Sequence, residues 1–188
     1  MPDREKFLTL SALAGLIAPI LFAALIVVQG FLQPSYSHVA MPISALAAWP
    51  LGWLQELNFY IFGALMIMFA AGLHRGIRRG GRLSALGPAL LAVSGAGVII
   101  AGIFSWARIG DGFVEPTGHA IGSLMAFAGA GVGLASLASR MRHDDEWRDL
   151  ARYAQFTGLA VVLLFLRSSR SLLRPAKLAQ HHATPFSA

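Results

Sequence analysis

The chain has 188 residues, 56% of them hydrophobic and 13% charged, with a formal net charge of +6 and no cysteine. A soluble domain carries about 25% charged residues, so an ordinary soluble globule is excluded, and the missing cysteine excludes disulfides, thiolate metal sites, cysteine nucleophiles and iron–sulfur clusters. The positive charge sits in short links between apolar runs and does not interleave with aromatics on a polar face, which reads as membrane topology and not as a nucleic-acid footprint.

Taken in chain order, the sequence predicts an all-α, polytopic transmembrane helix bundle of four spans plus a marginal fifth. A polar leader, Met1 to Lys6, precedes an uncharged run from Phe7 to Leu32. A spanning helix needs roughly 20 apolar residues; a cleaved signal peptide would have a shorter apolar region and a small-residue cleavage site, so this run is expected to stay as a helix, with Pro19 in mid-span. Gln33 to Gln55 is a long link with Pro34, Pro42, Pro50, Trp49 and Trp53 and no Lys or Arg. It is apolar enough to fold back onto the bundle, with a short interfacial helix expected around Ser44 to Ala48 and the two tryptophans in the headgroup layer.

The second span is expected over Glu56–Leu73, followed by the arginine-rich link His74–Arg82; the third over Leu83–Ala107; then an irregular link, Arg108–Thr117; and the fourth over Gly118–Ser139. Arg140–Arg152 mixes four basic with four acidic residues and reads as a solvated or interfacial helix. The last apolar run, Tyr153–Leu166, is only 14 residues long, a length that suits a re-entrant segment as well as a span. Residues 1–166 thus form the bundle and 167–188 a basic tail expected to be disordered.

Ten of the fifteen Lys and Arg residues lie in the leader, the His74–Arg82 link and the Arg140–Arg152 link. The positive-inside rule then puts the N-terminus in the cytoplasm, the two long links outside and the protein in the cell's inner (plasma) membrane. A fifth crossing would carry the basic tail outside, against that rule. Gly118, Gly122, Ala126 and Ala130 recur every four residues on the fourth span, with Gly129 and Gly133 as a second pair and Gly87, Gly95, Gly97 and Gly102 on the third. Small residues at this spacing let helix backbones approach closely, within one chain or through a homo-oligomer built on these faces.

The polar residues of interest gather on the outer side: Tyr36, His38 and Ser44 in the first link, Glu56 and Asn58 opening span two, Asp111 and Glu115 in the second link, His119 and Ser123 opening span four. Glu115, His119 and Ser123 are spaced by four and would share a helix face if the helix ran through Pro116. Three readings stay open. His38, Asp111 and His119 are chemically sufficient as ligands for zinc or as base and acid, with Ser44 as oxyanion donor or nucleophile, a metal-assisted hydrolase acting on lipid. Alternatively the group, with Tyr36, Glu56, Asn58, Glu115 and Ser123, lines a pocket for a lipid or small solute; or it is a structural network tying the links to the helix ends. Beyond zinc no cofactor is implied: there is no phosphate-binding Gly-Lys-Ser/Thr motif, no histidine pair for haem, and no mid-span acid of the kind pumps use. The partner expected from composition is membrane lipid, and none is a nucleic acid.

Several short motifs occur in order: Gly15 with Ala18-Pro19, Tyr36-Ser37, Ile43-Ser44-Ala45-Leu46, Gly52-Trp53-Leu54-Gln55, Asn58-Phe59 with Gly63, Gly102-Ile103-Phe104, Asp111, and Thr117-Gly118-His119. In these the chain, over roughly 13–166, resembles the bacterial and archaeal membrane proteins grouped as domain of unknown function 998. The resemblance implies a bundle of about six spans in a prokaryotic membrane and no established activity. Ser44, Asn58, Asp111 and His119 are the positions most like the family's motif residues, and His38 a weaker match.

Overall fold

The computed structural model describes residues 2–77, 85–110 and 112–172. Within them are five helices long and apolar enough to cross a membrane: α1 (Pro2–Leu32), α2 (Gly52–Gly76), α3 (Leu86–Ile103), α4 (Thr117–Met141) and α5 (Ala151–Leu172). A short 3-10 helix, Ile43–Ala48, lies between α1 and α2 at the place the sequence suggests. At 31 residues α1 is about 46 Å long, more than the roughly 30 Å of a hydrocarbon core, so its charged first turns project beyond the apolar layer.

Two sequence expectations are corrected, and the fifth span holds. It is a helix of 22 residues that continues past the apolar run through Arg167 to Leu172; 173–188 lie outside the described residues. The irregular second link holds a hairpin, β1 (Ala107–Ile109) antiparallel to β2 (Gly112–Val114), with Ile109 opposite Gly112. Gly110 makes its turn at φ 60, a left-handed conformation in which a side chain costs energy. The solvated helix expected over Arg140–Arg152 does not form: α4 runs on to Met141, and a turn with one 3-10 segment, Arg148–Leu150, leads into α5.

Side-chain bonds establish which helix ends lie together. The Arg4 guanidinium donates to the Arg75 carbonyl at 3.2 Å. Arg140, 3% exposed, donates to the carbonyls of His74, at 2.8 Å, and Ile77. The start of α1 and the ends of α2 and α4 thus share one basic end. Arg140 serves the carbonyls that a helix leaves unpaired in its last turn. Most of the arginine link, 78–84, lies outside the described residues.

Among the described residues the extensive backbone contacts join consecutive helices, and one buried cluster draws together Leu73 of α2, Leu91 of α3, Leu137 of α4 and Ala154 of α5. Lipid is as apolar as leucine, so close packing and not hydrophobic burial holds such helices together. Each interface accordingly meets at small residues. A Cβ built on Gly72 would lie 2.3 Å from Ser11 Cβ of α1, and one on Gly63 of α2 would lie 2.5 Å from the Gly95 carbonyl of α3. Gly97 of α3 would meet Ala126 N and Gly122 O at 2.6 Å, and Gly158 of α5 would meet Gly131 O of α4 at 2.5 Å. The small-residue stripes on the third and fourth spans face each other within the chain. The large side chains left outside, such as Leu16, Ile20, Phe156 and Leu164, are more than half exposed and form the lipid-facing surface.

Replacing Gly97 by leucine forces a side chain into the backbone of α4. We expect a loss of about 1–3 kcal/mol or more, read as a lowered Tm and a broadened gel-filtration peak in detergent. Gly112→Leu, whose nearest neighbour would be 3.7 Å away, should lower the Tm far less.

Candidate functional site

Opposite the basic end, the first link folds back over the bundle. Tyr36, Ala45 and Leu46 form a buried cluster against which Ile26, Met41 and Trp106 pack. The hairpin closes on the same cap: Trp49 lies 5.9 Å from Phe113, ring to ring, and the Arg108 guanidinium sits 5.2 Å above the Trp49 ring, a cation–π contact. The sequence expected headgroup-facing tryptophans; Trp53 is exposed, whereas Trp49 is half-buried in this stack.

His119 stands two residues into α4 and is 2% exposed. Its Nδ1 is 2.8 Å from the carbonyl oxygen of Ala101, in the last turn of α3. A carbonyl only accepts, so in the neutral ring Nδ1 carries the proton and Nε2 the lone pair. The neighbouring carbonyl, Gly102, accepts from the Tyr60 hydroxyl at 3.2 Å. Both bonds satisfy helix-end carbonyls that lipid cannot. Phe59 and Trp106 flank the imidazole, each with its ring centre 6.2 Å away. No donor among the described residues engages Nε2.

A cavity of about 320 Å³ opens beside this ring, bounded by all five helices and the 3-10 helix. That volume falls in the range of small-molecule sites, about 300–1,000 Å³. Four lining residues are polar, Ser44, Ser94, His119 and Ser123, and the Ser94 hydroxyl is already given to the Ala126 carbonyl at 2.6 Å. The remaining lining is apolar and includes Phe62, Met66, Val98, Ala130 and Val161. Ser44, His119 and Ser123 stand at the capped end, while Met66 and Ala130 stand deeper in α2 and α4. His119 and Ala130 are separated by about 16 Å of helix rise. The pocket therefore differs from the polar one the residue types suggested: it is an apolar slot with a polar mouth.

The other expected site residues divide. Ser44 and Ser123 join His119 around the cavity, Ser123 one helical turn below it as the four-residue spacing implies. Glu115 does not share that face: Pro116 is extended at ψ 146, the helix begins at Thr117, and Glu115 is exposed. Glu56 accepts from the Ser105 hydroxyl at 2.6 Å, tying α2 to the end of α3. Asn58 is buried and donates to the Phe22 carbonyl at 3.2 Å. His38 is exposed on the first link, over Gly30 and against the Phe31 and Tyr36 rings. It has no ring neighbour in common with His119. Asp111 lies outside the described residues; among those that are described, no group of three His, Asp or Glu side chains is arranged to hold a metal ion.

Tyr36 is buried with no partner for its hydroxyl, and burial raises its pKa above the ordinary phenol value. It belongs to a wider set that a search for ionisable groups passes over. Gln29 in the last turn of α1 and Gln33 just past its end, and Gln55 and Asn58, three apart on α2, are all at most 4% exposed. Gln29 Nε2 donates to Gln55 Oε1 at 3.0 Å, and Asn58 Nδ2 reaches the same oxygen at 3.5 Å. Gln29 Oε1, both polar atoms of Gln33, Gln55 Nε2, Asn58 Oδ1 and the Trp49 and Trp106 indole nitrogens have no partner among the described residues. Buried amides of this kind are where ordered water bonds in folded proteins. The signal for them was the helical spacing of amides at the outer ends of two apolar runs.

Removing Gln55 strips Gln29 of its one side-chain partner among the described residues. Gln55→Leu should cost about 1–3 kcal/mol, read as a fall in Tm in detergent. The double substitution Gln29→Leu with Gln55→Leu should cost less than the sum of the two singles, because the pair acts as one unit.

No curated protein and no solved structure matches the chain. A family model, described as protein of unknown function (DUF998), matches residues 16–175, nearly the whole helical bundle with its cap and cavity. The chain belongs to the domain of unknown function 998 family.

Proposed function

We propose that this membrane protein binds a lipid, holding its chain in the cavity with its head at the capped end. The observation that carries the reading is the polarity gradient of the cavity: Ser44, His119 and Ser123 at the mouth, phenylalanine, methionine, valine and alanine below. An amphiphile lying along the bilayer normal has the same gradient. A route in is available too. The helices follow one another in an arc whose first and last members, α1 and α5, form no extensive contact among the described residues, yet Phe22 of α1 and Val161 of α5 both line the cavity. A chain enters sideways from the bilayer between them, without crossing water.

The same reading sets the protein in the inner membrane with its basic end in the cytoplasm and the cap outside, because the leader and the links after α2 and α4 hold most of the Lys and Arg. The absence of cysteine makes this simple to test. Val39→Cys, at the fully exposed position of the first link, should react with a membrane-impermeant maleimide on intact cells. Glu146→Cys, exposed in the turn before α5, should react only after the membrane is opened. The reverse pattern overturns the orientation.

Filling the slot tests the binding itself. Ala130→Phe puts a ring into the deep end of the cavity. The wild type, purified in mild detergent, should carry co-purified lipid at about one molecule per chain by native mass spectrometry, and Ala130→Phe should carry at least fivefold less while keeping its gel-filtration profile, about 1 kcal/mol of lost binding. Equal lipid in the two proteins, or none in either, defeats the reading.

A further inference from the structure

We propose that the cavity selects an uncharged lipid whose head is a hydroxyl, and that this hydroxyl donates its proton to Nε2 of His119. The inference rests on the reading of the cavity as a lipid site and adds what the head must be.

Three observations lead to it. First, among the described residues no Lys, Arg, Asp or Glu lines the cavity. A phosphate or carboxylate head brought there would be desolvated with no counter-charge, which costs several kcal/mol for an ion in a low-dielectric site. Two charged side chains at the capped end are engaged elsewhere: Glu56 by Ser105, and Arg108 over the Trp49 ring. Second, the tautomer of His119 is set by α3. With Nδ1 donating to the Ala101 carbonyl at 2.8 Å, the neutral imidazole offers the cavity a lone pair and no proton. An ether, ester or ketone head, which only accepts, meets acceptor against acceptor there; an alcohol donates. Third, the two other polar groups at the mouth among the described residues are the hydroxyls of Ser44 and Ser123, each able to donate a hydrogen bond to the alcohol oxygen while its O–H points at Nε2. One hydroxyl thereby has its donor and its acceptor capacity both met, as a buried polar group requires. Long-chain alcohols, prenyl alcohols and diacylglycerols all present this head, and their chains suit the apolar slot beneath.

Three probes with one chain separate the possibilities: 1-hexadecanol, hexadecyl methyl ether and hexadecanoate. Each is titrated into the full-length protein in detergent at pH 8 and read by displacement of a bound fluorescent lipid. The wild type should bind the alcohol about tenfold tighter than the ether, the size of one buried hydrogen bond made rather than left unmade, and tighter still than the carboxylate. His119→Phe should bring alcohol and ether within about twofold of one another while chain binding persists. His119→Gln, which restores a side-chain acceptor, should recover part of the preference. If alcohol and ether bind the wild type alike, if hexadecanoate binds best, or if His119→Phe keeps the tenfold preference, the proposal is overturned. The two levels fail differently. Binding of all three probes without distinction, lost in Ala130→Phe, removes the head-group assignment and leaves the lipid site. Absence of binding by any probe, together with equal behaviour of Ala130→Phe, removes both.

Discussion

The structure depends on backbone meeting backbone at glycine. In water, burial of apolar surface would drive these helices together; in lipid that force is gone, and dispersion between closely fitted surfaces remains. Gly72 against Ser11, Gly63 against Gly95, Gly97 against Gly122 and Ala126, and Gly131 against Gly158 bring each helix onto the next at distances where a single methyl would collide. The cavity is the counterpart of these contacts. Where the seam residues are small the helices touch, and where Phe59, Phe62, Met66 and Phe127 stand along the inner faces space is left between them.

A second constraint acts at the helix ends. A carbonyl in the last turn of a helix has no amide to accept from, and lipid offers none. The chain answers with side chains from other helices: Arg140 of α4 for the end of α2, His119 of α4 and Tyr60 of α2 for the end of α3. His119 is thus held for a structural reason, and its orientation, with one nitrogen committed and the other free, follows from that task. The structural and the binding interpretations of this residue belong to two faces of the same ring.

Much of the fold was legible in the sequence because length and hydropathy are strong signals for spans, and the 3-10 helix was legible because prolines and glycine bracket it. The hairpin was not, since three-residue strands leave no periodicity to read, and the masking effect of Asp111-Gly112 as an ordinary turn hid the pairing of Ala107 with Val114. The fifth helix looked short because Arg167 and Arg170 break the apolar run, although charges at a helix end do not stop the helix itself. At the site, the four-residue spacing of His119 and Ser123 correctly placed them together, whereas Pro116 removed Glu115 from the same face. Gln29, Gln33 and Gln55 were passed over because neutral amides carry no titration signal, yet buried amides shape the cap as much as any ionisable group.

The packing of consecutive helices also bears on how the protein is made. Among the described residues every large interface joins helices consecutive in the chain, and only smaller ties, such as Arg140 of α4 to the end of α2, wait for a later partner. Native contacts between local segments form quickly, because little chain entropy is lost in closing the loop between them. As the chain emerges from the ribosome, α1 and α2 meet before α3 is complete, and each later helix docks on a finished edge.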